Sequence, residues 1–211
     1  MTAKAHWENV YSTKASDTVS WFQPHAQTSL EFIYRTGVTQ SSALIDVGGG
    51  ASTLIDDLLA LNFNHLSVLD LSGAALKASQ NRLGEQAQRV QWIEADITTV
   101  DFREHYFDLW HDRAVFHFLT HPEDRQSYRR VLLHALKPGG HLILATFADD
   151  GPEKCSGLAV QRYDTAALQH ILGPAFTLRH HQRETHTTPF GTTQQFLYCD
   201  FQRTESENSP N

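Results

Sequence analysis

The sequence has few cysteines and no clustered excess of basic residues. Its 211 residues include only two cysteines, Cys155 and Cys199, which are too few for a disulfide framework and too isolated for a zinc site. Lysine and arginine number 17 against 24 aspartates and glutamates, so the net charge at pH 7 is −7. Because nucleic-acid backbones are bound by clustered basic side chains, we expect no nucleic-acid partner.

Long apolar segments are also missing. The N-terminus lacks the apolar run of a signal peptide, and no segment approaches the roughly 20 apolar residues of a membrane-spanning helix. We therefore expect a cytoplasmic protein that does not bind membranes. Only 19% of the residues are charged and 40% are hydrophobic, which excludes global disorder and is sufficient for a hydrophobic core.

Short apolar strands alternate with helical segments along most of the chain. Strands are predicted at 43–47, 65–70, 90–95, within 107–115, and at 141–147, 176–181 and 194–201. The alternation predicts an α/β fold: a doubly wound, mostly parallel seven-stranded sheet with helices on both faces. The last two strands are close in sequence and predict an antiparallel C-terminal edge. We expect one domain at 25–202, an N-terminal aromatic segment at 1–24 and a polar tail at 203–211.

The residues at the strand ends point to the ligand, since sheets of this kind bind ligands beyond the carboxyl ends of their strands. Gly48, Gly49 and Gly50 follow the first strand and allow a sharp turn close to a ligand. Asp70 closes the second strand, where a carboxylate can accept both hydroxyls of a ribose. Asp96 closes the third strand, where it can meet an adenine amino group. Together these positions predict an adenosine-containing ligand.

An NAD-dependent dehydrogenase is the alternative for such a sheet. Its Gly-x-Gly-x-x-Gly fingerprint requires a third glycine, and that position is Thr53 here. The length of the chain also leaves little room for a separate substrate domain. The dehydrogenase interpretation is therefore disfavoured.

Five segments in order, IDVGGGAS, VLDLS, EADI, FDLWHDRAVFHFL and LKPGGHLIL, resemble the motifs of class I S-adenosylmethionine-dependent methyltransferases. The resemblance implies S-adenosylmethionine as cofactor, S-adenosylhomocysteine as product, and no metal. By analogy Asp46 and the glycines hold the methionyl part, Asp70 the ribose, and Asp96 with Ile97 the adenine. The full set of implied cofactor-binding residues is Asp46, Gly48, Gly49, Gly50, Asp70, Leu71, Asp96, Ile97, Asp112, Arg113 and Trp21.

Asp112 and His117 are the candidate catalytic residues, because Asp112 lies at the end of the fourth predicted strand and His117 follows it. The segment VFHFL, which contains His117, resembles a Val-Leu-His-His-Leu pattern of small-molecule methyltransferases. Residues 112–114, Asp-Arg-Ala, resemble the Asp-Lys-Gly stretch of lysine methyltransferases that modify elongation factors, without its lysine or glycine. A packing role remains equally open for His117, and packing is favoured for His111.

The N-terminal segment is rich in aromatic residues: Trp7, Tyr11, Trp21 and Phe22. We expect them to form an active-site lid that shields the cofactor and attracts its sulfonium by cation–π interaction. A hydrophobic flap over the sheet end is the alternative, and both roles are compatible.

The favoured function is methyl transfer to a small-molecule acceptor, since no recognition domain is predicted and an aromatic lid suits an enclosed acceptor. The alternatives are a protein-lysine methyltransferase and a non-catalytic S-adenosylmethionine-binding module. We expect a monomer or a weak homodimer.

Overall fold

The computed structural model describes residues 2–205, which contain nine strands, six α-helices and three short 3-10 helices at Ser16–Thr18, Gly84–Arg89 and Phe116–Phe118. The strands are β1 (Ala43–Val47), β2 (His65–Asp70), β3 (Val90–Glu94), β4 (Phe107–Arg113), β5 (Leu136–Phe147), β6 (Lys154–Cys155), β7 (Leu158–Ala159), β8 (Phe176–Thr187) and β9 (Thr193–Arg203). The helices are α1 (Ala3–Thr13), α2 (Gln27–Arg35), α3 (Leu54–Ala60), α4 (Gly73–Leu83), α5 (Pro122–Ala135) and α6 (Thr165–Leu172).

Seven strands form one sheet in the order β3-β2-β1-β4-β5-β9-β8. Strands β1 to β5 pair in parallel, while β9 runs antiparallel to both β5 and β8. The predicted fold class is therefore confirmed, including the antiparallel C-terminal edge. The strand order reverses between β1 and β4, which is the point where open α/β sheets form a ligand crevice.

Each face of the sheet carries its own apolar layer, because successive side chains of a strand point to opposite faces. Trp110 and Leu144 pack in one layer with side chains of α5 and α6. Leu109 and Ile143 pack in the other layer with side chains of α2 and α3. All five residues of β1 are buried, as expected for a parallel strand covered on both faces.

The segment 137–140, Lys-Pro-Gly-Gly, lies within a strand, although Pro-Gly and Gly-Gly pairs are typical of turns. Strand β5 begins before it, at Leu136, and continues through it. The pairing of β5 with β4 shifts between Phe107 and Leu109, so the extra residues bulge from the ladder. Gly139 adopts a φ of 78° within this bulge, which a glycine tolerates without strain.

The first helix, α1, carries Trp7 and Tyr11 about one turn apart. The Thr2 hydroxyl caps it by accepting a hydrogen bond from the Ala5 amide. Within the described residues, no helix combines the length and apolarity needed to cross a bilayer.

Candidate functional site

A cavity of about 270 Å³ lies at the carboxyl ends of β1, β2 and β4. A smaller cavity of about 50 Å³ shares Tyr11, Trp21, Gly48 and Arg113 with it. The larger cavity brings together most of the predicted cofactor-binding residues: Trp21, Gly48, Asp70, Leu71, Asp96, Ile97 and Arg113. The smaller cavity contains two more of them, Asp46 and Gly49.

Asp70 is fixed at the end of β2 by backbone amides. Its Oδ2 accepts a hydrogen bond from the Gly50 N–H at 3.0 Å, and its Oδ1 accepts one from the Ser72 N–H at 2.8 Å. Burial raises the pKa of this carboxyl to about 6. Gly50 lines neither cavity but holds the carboxylate that does. The loop after β1 and the end of β2 therefore form one unit that presents an acid to the cavity.

Asp96 and Ile97 lie at the next strand end, after β3. The Asp96 Oδ1 accepts hydrogen bonds from the Thr98 N–H at 2.8 Å and from the Thr98 hydroxyl at 2.7 Å. Ile97 is buried and contributes an apolar surface to the cavity. This end of the cavity combines a flat apolar contact with a fixed hydrogen-bond acceptor, which suits an adenine ring.

Asp46 lies one residue before the end of β1 and contacts a buried histidine. Its Oδ1 lies 2.7 Å from His111 Nδ1, and His111 Nε2 lies 2.9 Å from the Ser29 hydroxyl. The second oxygen, Oδ2, has no hydrogen-bond partner within residues 2–205. A Cβ atom at Gly49 would lie 2.2 Å from this oxygen, so only glycine allows the loop to close over Asp46.

Arg113 ends β4 and borders both cavities. Its Nε donates to the Tyr198 hydroxyl at 2.9 Å and its Nη1 donates to the Trp21 carbonyl at 3.0 Å. The guanidinium lies 4.5 Å from the centre of the Phe196 ring. In the described part of the chain its Nη2 has no partner. A partly buried cationic group with an unpartnered N–H is suited to bind an anionic group of a ligand.

Asp112 does not border either cavity and is fully buried. Its Oδ1 accepts hydrogen bonds from the Val115 and Phe116 amides at 2.9 and 3.3 Å, and its Oδ2 accepts one from the Tyr128 hydroxyl at 2.7 Å. Burial raises the pKa of the carboxyl to about 6. These contacts shape the loop after β4, so the placement of Asp112 does not support its predicted catalytic and cofactor-binding roles.

His117 is likewise fully buried and lines neither cavity. Its Nδ1 accepts a hydrogen bond from the Phe147 N–H at 3.2 Å. Burial lowers its pKa to about 3, so the imidazole is neutral near pH 7. The geometry favours the packing role that the sequence left open for this residue.

Aromatic side chains of the N-terminal segment form one wall of the larger cavity. The Trp7 ring lies 5.6 Å from Trp21 and 5.2 Å from Phe118, in edge-to-face arrangements. The Trp21 Nε1 donates to the Tyr11 hydroxyl at 3.2 Å. Glu8 attaches α1 to the sheet end, because its Oε1 accepts a hydrogen bond from the Gly73 N–H at 2.6 Å. The segment thus packs on the site with aromatic faces inward.

Cys155 also borders the larger cavity. The neighbouring Lys154 favours a lowered thiol pKa on sequence grounds, but the lysine is exposed while the cysteine is buried. Burial raises the thiol pKa to about 12. The side chain is therefore a neutral thiol near pH 7. Within residues 2–205, no cluster of three or more histidine, cysteine or acidic side chains is arranged to hold a metal ion.

The reversed strand order, the glycine loop and the acids at successive strand ends define an α/β fold that binds an adenosine ligand at its switch point. A family profile described as a methyltransferase domain matches residues 45–144. The ubiquinone/menaquinone biosynthesis C-methyltransferase UbiE of Ectopseudomonas mendocina (strain ymp) is 28% identical over 140 residues, which cover 64% of this chain and 52% of that protein. The chain spans about half the length of the curated relatives it matches.

Solved structures share the fold over nearly the whole chain. The 1,6-didemethyltoxoflavin-N1-methyltransferase of Burkholderia thailandensis, with S-adenosylhomocysteine bound, has a TM-score of 0.69 at 19% identity and covers 96% of this chain and 84% of its own. The N-methyltransferase NodS of Bradyrhizobium japonicum, in complex with S-adenosylhomocysteine, has a TM-score of 0.68 at 17% identity, with coverages of 95% and 100%. The chain therefore has the fold of the class I S-adenosylmethionine-dependent methyltransferases, and its residues 45–144 match a methyltransferase domain.

Proposed function

We propose that this protein transfers the methyl group of S-adenosylmethionine to a small-molecule acceptor held against the aromatic wall of the cavity. The observation that carries the proposal is the cavity itself, which is lined by Asp70 and Asp96 and by four aromatic side chains. S-Adenosylmethionine supplies an electrophilic methyl group on a positively charged sulfur. The chain's own residues have to bind the cofactor and the acceptor, orient them towards each other and exclude water.

The residues of the two cavities fit each part of that cofactor. Asp70 accepts the ribose hydroxyls, and Asp96 with Ile97 holds the adenine. The unpartnered Asp46 Oδ2 accepts hydrogen bonds from the α-ammonium group, and the unpartnered Nη2 of Arg113 donates to the α-carboxylate. Two buried polar atoms without partners are costly in the free protein, and a ligand with one charge of each sign satisfies both.

The aromatic wall acts on both reactants. Trp7, Tyr11, Trp21 and Phe118 line the larger cavity, and aromatic faces attract a sulfonium cation most strongly where water is excluded. Burial raises the pKa of the Tyr11 hydroxyl well above its ordinary value, so this group remains a neutral hydrogen-bond partner. The chain promotes transfer chiefly by alignment of the acceptor with the methyl group.

We further propose that residues 1–24 are a lid over the domain at 25–202. Helix α1 contributes Trp7 and Tyr11 to the cavity wall and is attached through Glu8 to the N-terminus of α4. Release of the cofactor product then requires this helix to move. The polar tail proposed at 203–211 lies outside the described residues from position 206 onward.

A protein lysine is the alternative acceptor, suggested by the sequence at 112–114. The internal hydrogen bonds of Asp112 and the walls that α1 adds to the cavity both favour the smaller acceptor. A non-catalytic module that binds S-adenosylmethionine is the third possibility.

Methyl transfer from deuterium-labelled S-adenosylmethionine distinguishes these functions. The purified protein is incubated with a metabolite extract and, separately, with a proteome from the same cells, and label is located by mass spectrometry. We expect label in the metabolite fraction and formation of S-adenosylhomocysteine. Label confined to lysines in the proteome would establish the alternative acceptor, and label in neither fraction would contradict both enzyme functions. The Asp70→Ala variant is the control for enzyme-dependent transfer.

A further inference from the structure

Three polar side chains, Ser29, Asp46 and His111, form a hydrogen-bonded row beneath the smaller cavity. They are 0%, 4% and 3% exposed, respectively, and all three border that cavity. They come from α2, β1 and β4, so the fold assembles the row from distant parts of the sequence. Burial of this many polar groups is costly unless each is hydrogen-bonded.

Chemistry fixes the direction of one hydrogen bond in the row. An ionised carboxylate only accepts hydrogen bonds, so Nδ1 of His111 carries the proton and donates to Asp46 Oδ1 at 2.7 Å. The Ser29 hydroxyl, which can either donate or accept, pairs with His111 Nε2 at 2.9 Å. This arrangement leaves Asp46 Oδ2 without a partner and holds it in one position.

The same row extends towards Arg113. The Tyr198 hydroxyl lies beside Ser29 and accepts a hydrogen bond from Arg113 Nε at 2.9 Å. The guanidinium is further held by the Trp21 carbonyl, which leaves its Nη2 unpartnered within residues 2–205. One buried network therefore connects an acceptor and a donor that are both unsatisfied in the free protein.

We propose that His111 and Ser29 are positioning residues that set Asp46 and Arg113 at the spacing of the two charged groups of an α-amino acid. This inference rests on the proposed function, because it assigns the smaller cavity to the amino-acid end of the cofactor. The network contacts that end and not the nucleoside, which is held by Asp70 and Asp96. Loss of the network must therefore weaken the binding of ligands that carry the amino acid and leave the affinity for other adenosine ligands unchanged.

The test compares S-adenosylhomocysteine with 5′-methylthioadenosine, an adenosine thioether that lacks the amino-acid portion. Dissociation constants for both are measured by calorimetry on the full chain and on three variants: His111→Leu, His111→Asn and Ser29→Ala. We expect His111→Leu to weaken the binding of S-adenosylhomocysteine by about tenfold or more, since hydrogen bonds to charged groups contribute about this much to affinity. Its affinity for 5′-methylthioadenosine should remain within about twofold of wild type.

The other two variants separate positioning from packing. Asn at position 111 retains an N–H donor for Asp46, so it should recover most of the lost affinity, while Ser29→Ala should give a smaller loss confined to S-adenosylhomocysteine. Equal losses for both ligands, or none for either, would overturn the positioning role even if wild-type binding is normal. If His111→Leu does not fold, as judged by its melting temperature, the small Ser29→Ala change decides the question alone. Failure of wild type to bind either ligand would instead contradict the cofactor assignment and the inference together.

Discussion

The Gly50 amide and the Asp70 carboxylate are in contact, with the N–H donating to Oδ2 at 3.0 Å. A Cβ atom at Gly50 would lie 2.5 Å from the same oxygen and 2.6 Å from the Ala75 Cβ. The glycine is thus required for close approach and not for an unusual backbone angle. Its absence of a side chain determines where the acid of the second strand can lie.

Replacing Gly50 with alanine should therefore weaken the binding of S-adenosylhomocysteine. The added methyl group must displace either the Asp70 carboxylate or α4, and both changes disturb the ribose site. We expect a loss of about tenfold in calorimetric affinity, similar to that from one disturbed charged hydrogen bond. Unchanged affinity would show that the loop after β1 does not set the position of Asp70.

Cofactor affinity should depend on pH because burial raises the pKa of Asp70 to about 6. The ionised carboxylate is the stronger acceptor for ribose hydroxyls, so the affinity for S-adenosylhomocysteine should fall as the pH decreases below about 6. Binding constants measured from pH 8 to pH 5 test this. The Asp70→Asn variant should bind S-adenosylhomocysteine more weakly at pH 7.5, and its affinity should no longer change with pH. The control Asp101→Asn, at an exposed position, should behave as wild type. A wild-type profile that is flat through pH 6 would contradict the role of Asp70.

The proposed lid should control the release of the cofactor product. Glu8 accepts hydrogen bonds from the Gly73 N–H at 2.6 Å and the Ala74 N–H at 3.3 Å, at the positive end of the α4 dipole. Glu8→Ala should increase the dissociation rate of S-adenosylhomocysteine by about tenfold, measured by stopped flow. The matched control on the same helix is the exposed Asn9→Ala. Identical rates for wild type and Glu8→Ala would contradict the attachment.

His117 should make the fold less stable in acid. Its folded pKa of about 3 lies below its ordinary value of 6.5, so the unfolded chain binds a proton that the folded chain does not. The stability it contributes is therefore complete above pH 6.5 and is lost as the pH falls, at about 1.4 kcal/mol per pH unit.

The His117→Asn variant isolates this effect, since Asn still accepts the hydrogen bond from the Phe147 amide but does not titrate. Asp70 and Asp112 titrate with the opposite sign, because their raised pKa values favour the folded state in acid. The relevant quantity is therefore the difference in urea-derived unfolding free energy between variant and wild type at pH 7, 6 and 5. It should shift in favour of the variant on acidification, and a constant difference would contradict the buried neutral state.

Replacing Ala114 with glycine should stabilise the folded protein. It adopts a φ of 72°, where a Cβ atom costs roughly 1–2 kcal/mol. Part of that gain is lost to the greater freedom of glycine in the unfolded chain, so Ala114→Gly should raise the unfolding free energy by about 0.5–1 kcal/mol. Ala60→Gly in helix α3 should have the opposite effect. A destabilised Ala114→Gly would show that the turn after β4 is not strained.

The alternation of apolar strands with helical segments, and the glycines and acidic residues that end them, were enough to predict the sheet and its strand ends. Strands β1 and β2 have the bounds that the sequence predicts, because Gly48 directly follows β1 and β2 ends at Asp70. The bulge at 137–140 was not predictable, since Pro-Gly-Gly also suits a turn. Its form depends on pairing with β4, which is a tertiary contact.

The candidate site was predictable only where it follows strand ends. Ser29 and Tyr198 were missed because each reaches the site from an element far away in sequence, and neither carries a local signal. For Asp112 and His117 the sequence placed both residues close to the site, but Asp112 lies within β4, His117 follows it, and both side chains are fully buried. Resemblance in sequence gave the right segment and not the direction of the side chains.

The most direct test of the account is a crystal structure of the protein with S-adenosylhomocysteine. We predict that both ribose hydroxyls contact Asp70, the adenine lies between Ile97 and the loop after β4, and the amino-acid end contacts Asp46 and Arg113. The sulfur should face the aromatic wall formed by Trp7, Tyr11, Trp21 and Phe118. Binding in the reverse orientation, or outside the cavity at the ends of β1, β2 and β4, would contradict the account.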